Sequence, residues 1–520
     1  MPIRAALAAL LVLLIVSGCS SAPPPLTDTA PDRYVGTDIP GGRVDDAVDR
    51  LDELAGDLMA DSGIPGMAVA VVHAGKTVYA KGFGVRNARF PDDAGNRVNP
   101  DTVFQVASLS SALAATVVAH QVTEDSVDWD TPAGVYLPWF GLSEPYVSDH
   151  VSIADLFAGR SGLPAGAGDR LQALGYDRRQ VLTRLSQLPL SAFRNSFAET
   201  DFGVTAGAEA VAAAAGTPWE ELSASVLYRP LGMDATSSSY ADYTRRPDRA
   251  IGHVKDDDGY RPRYRGDHDP QSAAAGVSSS ANDLARWLAM VLAGGRYDGG
   301  SITSVDALLP AVTAQTVAVP APSPDARAAF HGYGFDVSVT SSGRTRYGRS
   351  GGFALGSSAA FAALPAADVG IVVLTNAAPA GVPETLVGQF LDLVQYGELR
   401  EDWAGYYRDA LSDRDQTPGT LSDTKPPHNP ATADPLNRYT GVYANDYWGP
   451  ATVTERNGTL LLSLGPHHRT VPLTHWGGDN FTFPVDDDTV PPGTLSMATF
   501  TPDTLRLEYY DRDRLGMFLR

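Results

Sequence analysis

Val44, Val48, Leu51, Leu54 and Leu58 recur every three or four residues, the period of one helix face, and Gly63 and Pro65 close the pattern. Two β-like runs follow, Met67–His73 and Thr77–Phe83, with Ala74-Gly75-Lys76 between them as a hairpin connection. From about Asp101 to Pro320 the chain is rich in alanine and reads as mostly helical, broken by loops of Gly, Pro and Asp. Strand patterns return at Tyr333–Val339, Ser357–Leu364 and Val369–Thr375, and an apolar helix is predicted from Leu386 to Val394. Strands at both ends with helices between them predict one antiparallel sheet built from the two ends of this stretch, with a helical region inserted.

From Leu411 to Pro435 the chain is rich in Asp, Thr and Pro and poor in apolar anchors, which reads as a linker. Beyond it the texture changes to short strands. Ala451–Arg456 and Thr459–Leu464 flank Asn457-Gly458, the preferred two-residue hairpin turn. Leu473–Trp476, Phe481–Phe483, Ser496–Phe500 and Leu505–Tyr510 continue the series and predict a small antiparallel β-barrel or sandwich. The aromatics Tyr443, Tyr447, Trp448 and Trp476 are expected in its core. The expected organisation is a first domain over residues 43–400, a helix end and Pro-rich linker over 401–435, and the β-domain over 436–520.

The chain has 520 residues, 43% of them hydrophobic and 19% charged, a balance that excludes wholesale disorder. A net charge of −21 argues against nucleic acid as a partner, because phosphate backbones reward clustered Lys and Arg. The single cysteine excludes an internal disulfide, and its place suggests another role. Arg4, an apolar run from Ala5 to Val16 and then Ser17-Gly18-Cys19 describe a secretory signal over residues 1–18, too short to span as a mature helix. Val-Ser-Gly-Cys resembles the bacterial lipobox, which implies lipidation at Cys19. The expectation is an exported protein held to a membrane by its lipid, with residues 19–42 as a tether. The ten histidines are scattered, His467-His468 falls in a loop, and Asp267-His268-Asp269 reads as a solvated turn. No metal or cofactor is expected.

Phe104-Gln105-Val106-Ala107-Ser108-Leu109-Ser110-Ser111 runs into a helical stretch from Ala112 to about Val122. A serine at a helix start suits a nucleophile, since free N–H groups and the helix dipole stabilise a developing oxyanion. It equally suits a plain N-cap. Context separates the two. The chain resembles the penicillin-binding-protein and class C β-lactamase superfamily, specifically the CubicO-like serine hydrolases. The stretches that carry the resemblance are Phe104–Ser111, Val151–Phe157 leading to Ser161-Gly162-Leu163-Pro164, and Tyr228–Met233. Ala275–Ser279 followed by Asp283–Arg286, and Gly370–Asn376, fit as well. They cover about residues 44–400 in family order. The tail from Leu436 to Arg520 resembles the lipocalin-like β-domain appended to some of these hydrolases. The implied fold is the α/β (α+β) serine β-lactamase type, an antiparallel sheet with an inserted helical region, plus the small C-terminal barrel.

The resemblance also implies three motifs, and each is altered here. Where the family has Ser-x-x-Lys, the chain has Ser108-Leu109-Ser110-Ser111, and a neutral hydroxyl is a poor base. Only four of the forty basic residues are lysines, and none lies between Lys81 and Lys255. Where the family has Tyr-x-Asn, the chain has Glu199-Thr200-Asp201. Where it has Lys-Thr-Gly or His-x-Gly, the chain has Arg349-Ser350-Gly351, which keeps a charge for an anion contact but cannot deprotonate. Glu199 becomes a base for Ser108 if burial raises its pKa, although a nearby Arg349 acts the other way. Gly348–Gly352 also fits Gly-x-Ser-x-Gly, a motif that needs a strand before it and a helix after it. Two readings follow. One is a divergent acyl-serine hydrolase of small-molecule, peptide or ester substrates. The other is an inactive relative acting as a cell-envelope binding or scaffolding module.

Overall fold

The computed structural model describes residues 30–411 and 421–520, apart from positions 257, 264, 265, 355, 422, 423, 426, 486, 488, 489, 491 and 492. Cys19, the apolar run before it and residues 19–29 of the tether lie outside the described residues.

Eight antiparallel strands form the central sheet. They are β1 (Gly66–His73), β2 (Lys76–Gly84), β3 (Thr316–Val319), β4 (Ala329–His331), β5 (Asp336–Val339), β6 (Thr345–Phe353), β7 (Ser357–Leu364) and β8 (Val369–Thr375). Their order is β2-β1-β8-β7-β6-β5-β4-β3, so strands from both ends of the domain meet at β1 and β8, where Val71 faces Ile371. Alternation divides β1 between two cores. Met67, Val69 and Val71 pack with the helices α1 (Arg43–Asp49), α2 (Leu51–Ser62) and Val382–Tyr396, while Ala68, Ala70 and Val72 face the inserted helical region. Burial on both faces explains why β1 and β8 read as unbroken apolar runs.

The helical pattern beginning at Val44 is two helices, broken at Arg50, whose N–H bonds to Ala47. The strand expected at Tyr333 starts only at Asp336, because Gly334 takes φ +76° and turns the chain. The stretch read as mostly helical up to Pro320 ends in β3, and it contains a hairpin, Gly252–Asp256 with Gly259–Arg263. Short strands flanked by polar loops carry little periodicity, which is why they escape a pattern reading.

The C-terminal unit is eight antiparallel strands in chain order. They are β9 (Gly441–Tyr443), β10 (Ala451–Arg456), β11 (Thr459–Leu464), β12 (Arg469–Gly477), β13 (Asn480–Pro484), β14 (Leu495–Phe500), β15 (Thr504–Leu507) and β16 (Met517–Leu519). Reciprocal bonds of 2.6 and 2.9 Å between Ala444 and Leu519 join the two ends, so the sheet is a nearly closed barrel. Asn457 and Gly458 both take positive φ, +53° and +77°, as the expected hairpin turn requires. Tyr443 lies in the barrel core with Phe481, Phe500 and Phe518, and Tyr447 and Trp448 are buried, but Trp476 is only half-buried.

The barrel seats on the segment 166–187 of the first domain. The Arg170 guanidinium lies 4.1 Å from the Tyr509 ring and donates to the Tyr509 carbonyl. Tyr176 donates to the Trp448 carbonyl at 2.8 Å, and Gln187 to that of Asp446 at 3.2 Å. A Cβ on Gly175 would stand 2.7 Å from the His467 ring. Apolar residues of both units, Leu171, Leu174 and Tyr176 with Trp448 and Tyr510, belong to one continuous core.

Candidate active site

Ser108 stands at the start of α3 (Leu109–Thr123), a helix buried along most of its length. The residue before it, Ala107, has φ +48°, a conformation that costs a non-glycine residue free energy. Ser110 braces this turn from below, donating to the Ala107 carbonyl at 2.6 Å and accepting the Val277 N–H at 3.0 Å. The two-residue strand Phe104–Gln105 pairs with Ser278–Ser279 and delivers the chain to the turn. The Ser108 side chain makes no capping bond, so the N-cap role is not what fixes it there. Ser108 is partly exposed at the helix mouth, where the next N–H groups are already paired, Leu109 with the Val106 carbonyl at 3.2 Å, Ser110 with that of Ala107 at 2.9 Å and Ser111 with that of Ser108 at 3.1 Å.

Strand β6 passes directly alongside. Alternation sets Tyr347, Arg349 and Gly351 on the face toward the helical region, and Gly351 is pressed against the serine. A Cβ there would stand 2.6 Å from the Ser108 nitrogen and 2.9 Å from its Oγ. The strand therefore has to carry glycine at this point. The edge of β6 beyond Gly348 is unpaired on the β5 side, since the last β5 partner, Asp336, faces Gly348. Strand pairing with β7 continues through Phe353, so Gly348–Gly352 is no strand-to-helix elbow and Ser350 is no nucleophile of that type.

The three altered motifs converge on this point with different outcomes. Ser111 is 1% exposed and donates to the Ala274 carbonyl at 3.1 Å, so it serves the packing of α3 and does not face Ser108 as a base. Arg349 is 6% exposed. Its Nη1 meets Asp336 at 3.0 Å, its Nη2 meets Glu199, and its Nε reaches the Ser108 carbonyl at 3.4 Å. The expected anion contact is thus already occupied by the protein's own carboxylates. Glu199 is held by that ion pair, and its side chain is half exposed, not buried. Asp201 opens the helix α4 (Asp201–Ala215); burial first, and then the charge of Glu199, pushes its carboxyl up to about 7 against the pull of Arg349. Asp169 is pushed well above its ordinary value by burial and by Asp201, Asp487 and Glu199. Asp487 belongs to the barrel, so carboxylates from both units crowd the same side of the site.

Sequence reasoning missed the second clamp on Arg349, Asp336, and the His331 ring 3.1 Å behind it. Neither sits in a motif, and only the pairing of β4, β5 and β6 brings them to the arginine. The turn at Asp267–Asp269 is solvated only in part, with Asp267 exposed, Asp269 half-buried and His268 buried. His268 is buried and stacked on Phe353 with ring centroids 3.7 Å apart, and burial holds its pKa down to about 3, so it stays neutral. Among the described residues no three His, Cys, Asp or Glu side chains are placed to hold a metal ion, and no helix is long and apolar enough to cross a membrane.

Residues 51–394 match the family described as Beta-lactamase, and residues 425–507 match a domain of unknown function (DUF3471). Among relatives, the D-alanyl-D-alanine-carboxypeptidase/endopeptidase AmpH of Escherichia coli is 26% identical over 260 residues, 48% of this chain and 63% of AmpH. The esterase EstB of Burkholderia gladioli is 25% identical over 198 residues, 35% of this chain and 50% of EstB. The chain thus spans less than two thirds of the length of either. The octameric penicillin-binding protein homologue from Pyrococcus abyssi superposes with a TM-score of 0.59 at 19% identity, over 91% of this chain and all of that one, a likeness of fold.

Proposed function

The chain belongs to the Beta-lactamase family of serine hydrolases, and from that premise we propose that it is an acyl-serine hydrolase acting on esters with no negative charge beside the scissile bond. One observation carries this reading. Ser108 is held on a strained turn at a helix mouth, with a free hydroxyl and the glycine of β6 in contact beside it. Nucleophilic attack by Ser108 Oγ on the acyl carbon places the developing oxyanion beside the serine's own N–H and the β6 backbone. The serine proton passes to the leaving alkoxide, which departs as the alcohol, and water then releases the acid and returns a proton to the serine. Glu199 and Asp201 surround the site, and the buried Arg349 beside them is already spent on Glu199 and Asp336. An anionic group next to the reacting carbon would therefore meet repulsion. The lipobox-like Val-Ser-Gly-Cys stretch supports an exported protein anchored through Cys19, and the family resemblance supports action on small molecules, peptides or esters of the cell envelope.

A second reading is a binding or scaffolding module that keeps the fold without turnover. The burial of Ser111 and the locking of Arg349 favour it, since the family's proton-transfer groups are replaced by side chains engaged elsewhere. A fluorophosphonate probe offered to the full chain in detergent separates the two. Labelling that disappears in Ser108→Ala supports the hydrolase. Absence of labelling in protein that melts cooperatively rejects it in favour of binding.

A further inference from the structure

We infer that a pocket built around Arg249, next to the segment that carries the nucleophile, is a seat for a small carboxylate, and that it supplies the anion recognition Arg349 cannot. The part of this inference that concerns substrate rests on the hydrolase reading. The part that concerns binding does not.

The pocket is a cavity of about 80 Å³ lined by Gln105, Tyr240, Tyr243, Thr244, Arg249 and Arg263, with no acidic residue in its wall. Its place is fixed by the same backbone that presents the serine. Arg249 bridges Val103, and the N–H groups of Val103 and Ala250 bond across this junction at 2.9 Å each. Gln105, three residues ahead of Ser108, forms one side of the cavity. A group bound there is held against the strand that ends in the nucleophile.

The chemistry of the lining is that of an anion site. Arg249 spends Nη1 on the Arg246 carbonyl at 2.8 Å and has no carboxylate at ion-pair distance among the described residues. The nearby acids are engaged elsewhere. Asp248 accepts from Arg86 and Thr102 on one oxygen and from Asn99 on the other, and Asp269 accepts the Tyr240 N–H at 2.7 Å. Asp267, which acts on Tyr240, is exposed and accepts the Asp269 N–H at 3.0 Å. A half-buried guanidinium facing a polar cavity without an acid is an unmet demand for a bidentate anion. Tyr240 and Gln105 add neutral polar groups, and Tyr243 and Thr244 spend their hydroxyls on backbone carbonyls. The cavity admits a carboxylate on a short chain, such as the distal end of a dicarboxylic acid monoester. Its lining shares no residue with the acidic cluster of Glu199, Asp201 and Asp169, so the two sites sort one substrate by the position of its charge.

The test titrates the full chain in detergent with succinate, acetate and inorganic phosphate by calorimetry. Saturable succinate binding is expected, weakened about tenfold or more in Arg249→Gln and partly kept in Arg249→Lys, as a charge-assisted bond implies. Ser108→Ala should bind succinate like the parent. In turnover, Arg249→Gln should lower the preference for a p-nitrophenyl hemisuccinate over the butyrate ester by a similar factor. No saturable succinate binding, equal binding by Arg249→Gln, or binding of phosphate alone overturns the carboxylate seat. Arg249-dependent succinate binding in a protein whose Ser108 never labels keeps the seat and rejects the hydrolase.

Discussion

Asp336 Oδ1 lies 3.0 Å from Arg349 Nη1 and shares the buried guanidinium with Glu199 on its other side. The arginine that replaces the family's third-motif base is thus a structural cation. It ties β5 and β6 to the chain just ahead of α4. Arg349→Gln leaves two carboxylates without their counter-charge. Both are about half exposed, at 51% and 54%, so the expected loss is about 1–3 kcal/mol and not the larger cost of a fully buried pair. The midpoint of chemical denaturation measures it, and an unchanged midpoint would mean that the clamp carries no stability.

Gly351→Ala should abolish probe labelling at Ser108 and cost the fold about 1–3 kcal/mol. The added methyl must displace backbone and Cβ atoms of Ser108, at 2.6 and 2.7 Å, and not the end of a flexible chain. Labelling rates and melting temperature, measured on one preparation, separate the two effects. A fast-labelling alanine variant would refute the contact.

Ser110→Ala removes both bonds that brace the Ala107 turn. The Val277 N–H and the Ala107 carbonyl are left buried and lacking this partner, a cost of about 1–3 kcal/mol. Slower labelling is also expected, because the turn is then free to relax from φ +48°. Loss of stability with full labelling would show that the strain at Ala107 does not depend on this brace.

Asp201 gives the protein an acid-side stability that follows from its raised pKa. The folded state holds this proton until about pH 7, whereas the unfolded chain releases it near 4. Between those limits the native state binds more protons, so stability falls as pH rises, by at most about 1.4 kcal/mol per unit. Asp201→Asn should flatten that slope between pH 5 and 7 and stabilise the protein at pH 8. Thermal melts at these pH values read it directly, and a variant that keeps the parent's slope would assign it to Asp169 instead.

Much of the fold was legible because its signals are local. Ser357–Leu364 and Val369–Thr375 are strands at the expected ends, since runs of apolar residues buried on both faces leave no ambiguity of period. The Asn457-Gly458 turn was legible because φ above zero selects those residues. The candidate site was legible only in part. Ser108, Glu199, Asp201, Arg349 and Gly351 were found by their spacing within family motifs, and the structure draws them together. What each does was not legible, because it depends on partners far away in sequence. Asp336 takes over Arg349, the Ala274 carbonyl takes the Ser111 hydroxyl, and Phe353 covers His268. Arg249 has no motif at all; its meaning appears only when the strand through Val103 brings it beside Gln105.

The hold of the barrel on segment 166–187 has a consequence for how the protein could be divided. Its contacts, from Arg170 on Tyr509 to Tyr176 on Trp448, resemble those between separate partners, and the connecting peptide mainly raises their effective concentration. Supplied as two polypeptides cut in the linker, the halves should recognise one another and reassemble. The reassembly would be sensed at Glu199, whose carbonyl accepts the Gly166 N–H at 3.2 Å at the edge of the docking segment. The β-domain is in that sense a resident ligand of the hydrolase, and a molecule that competed for its seat would act on the site without entering it.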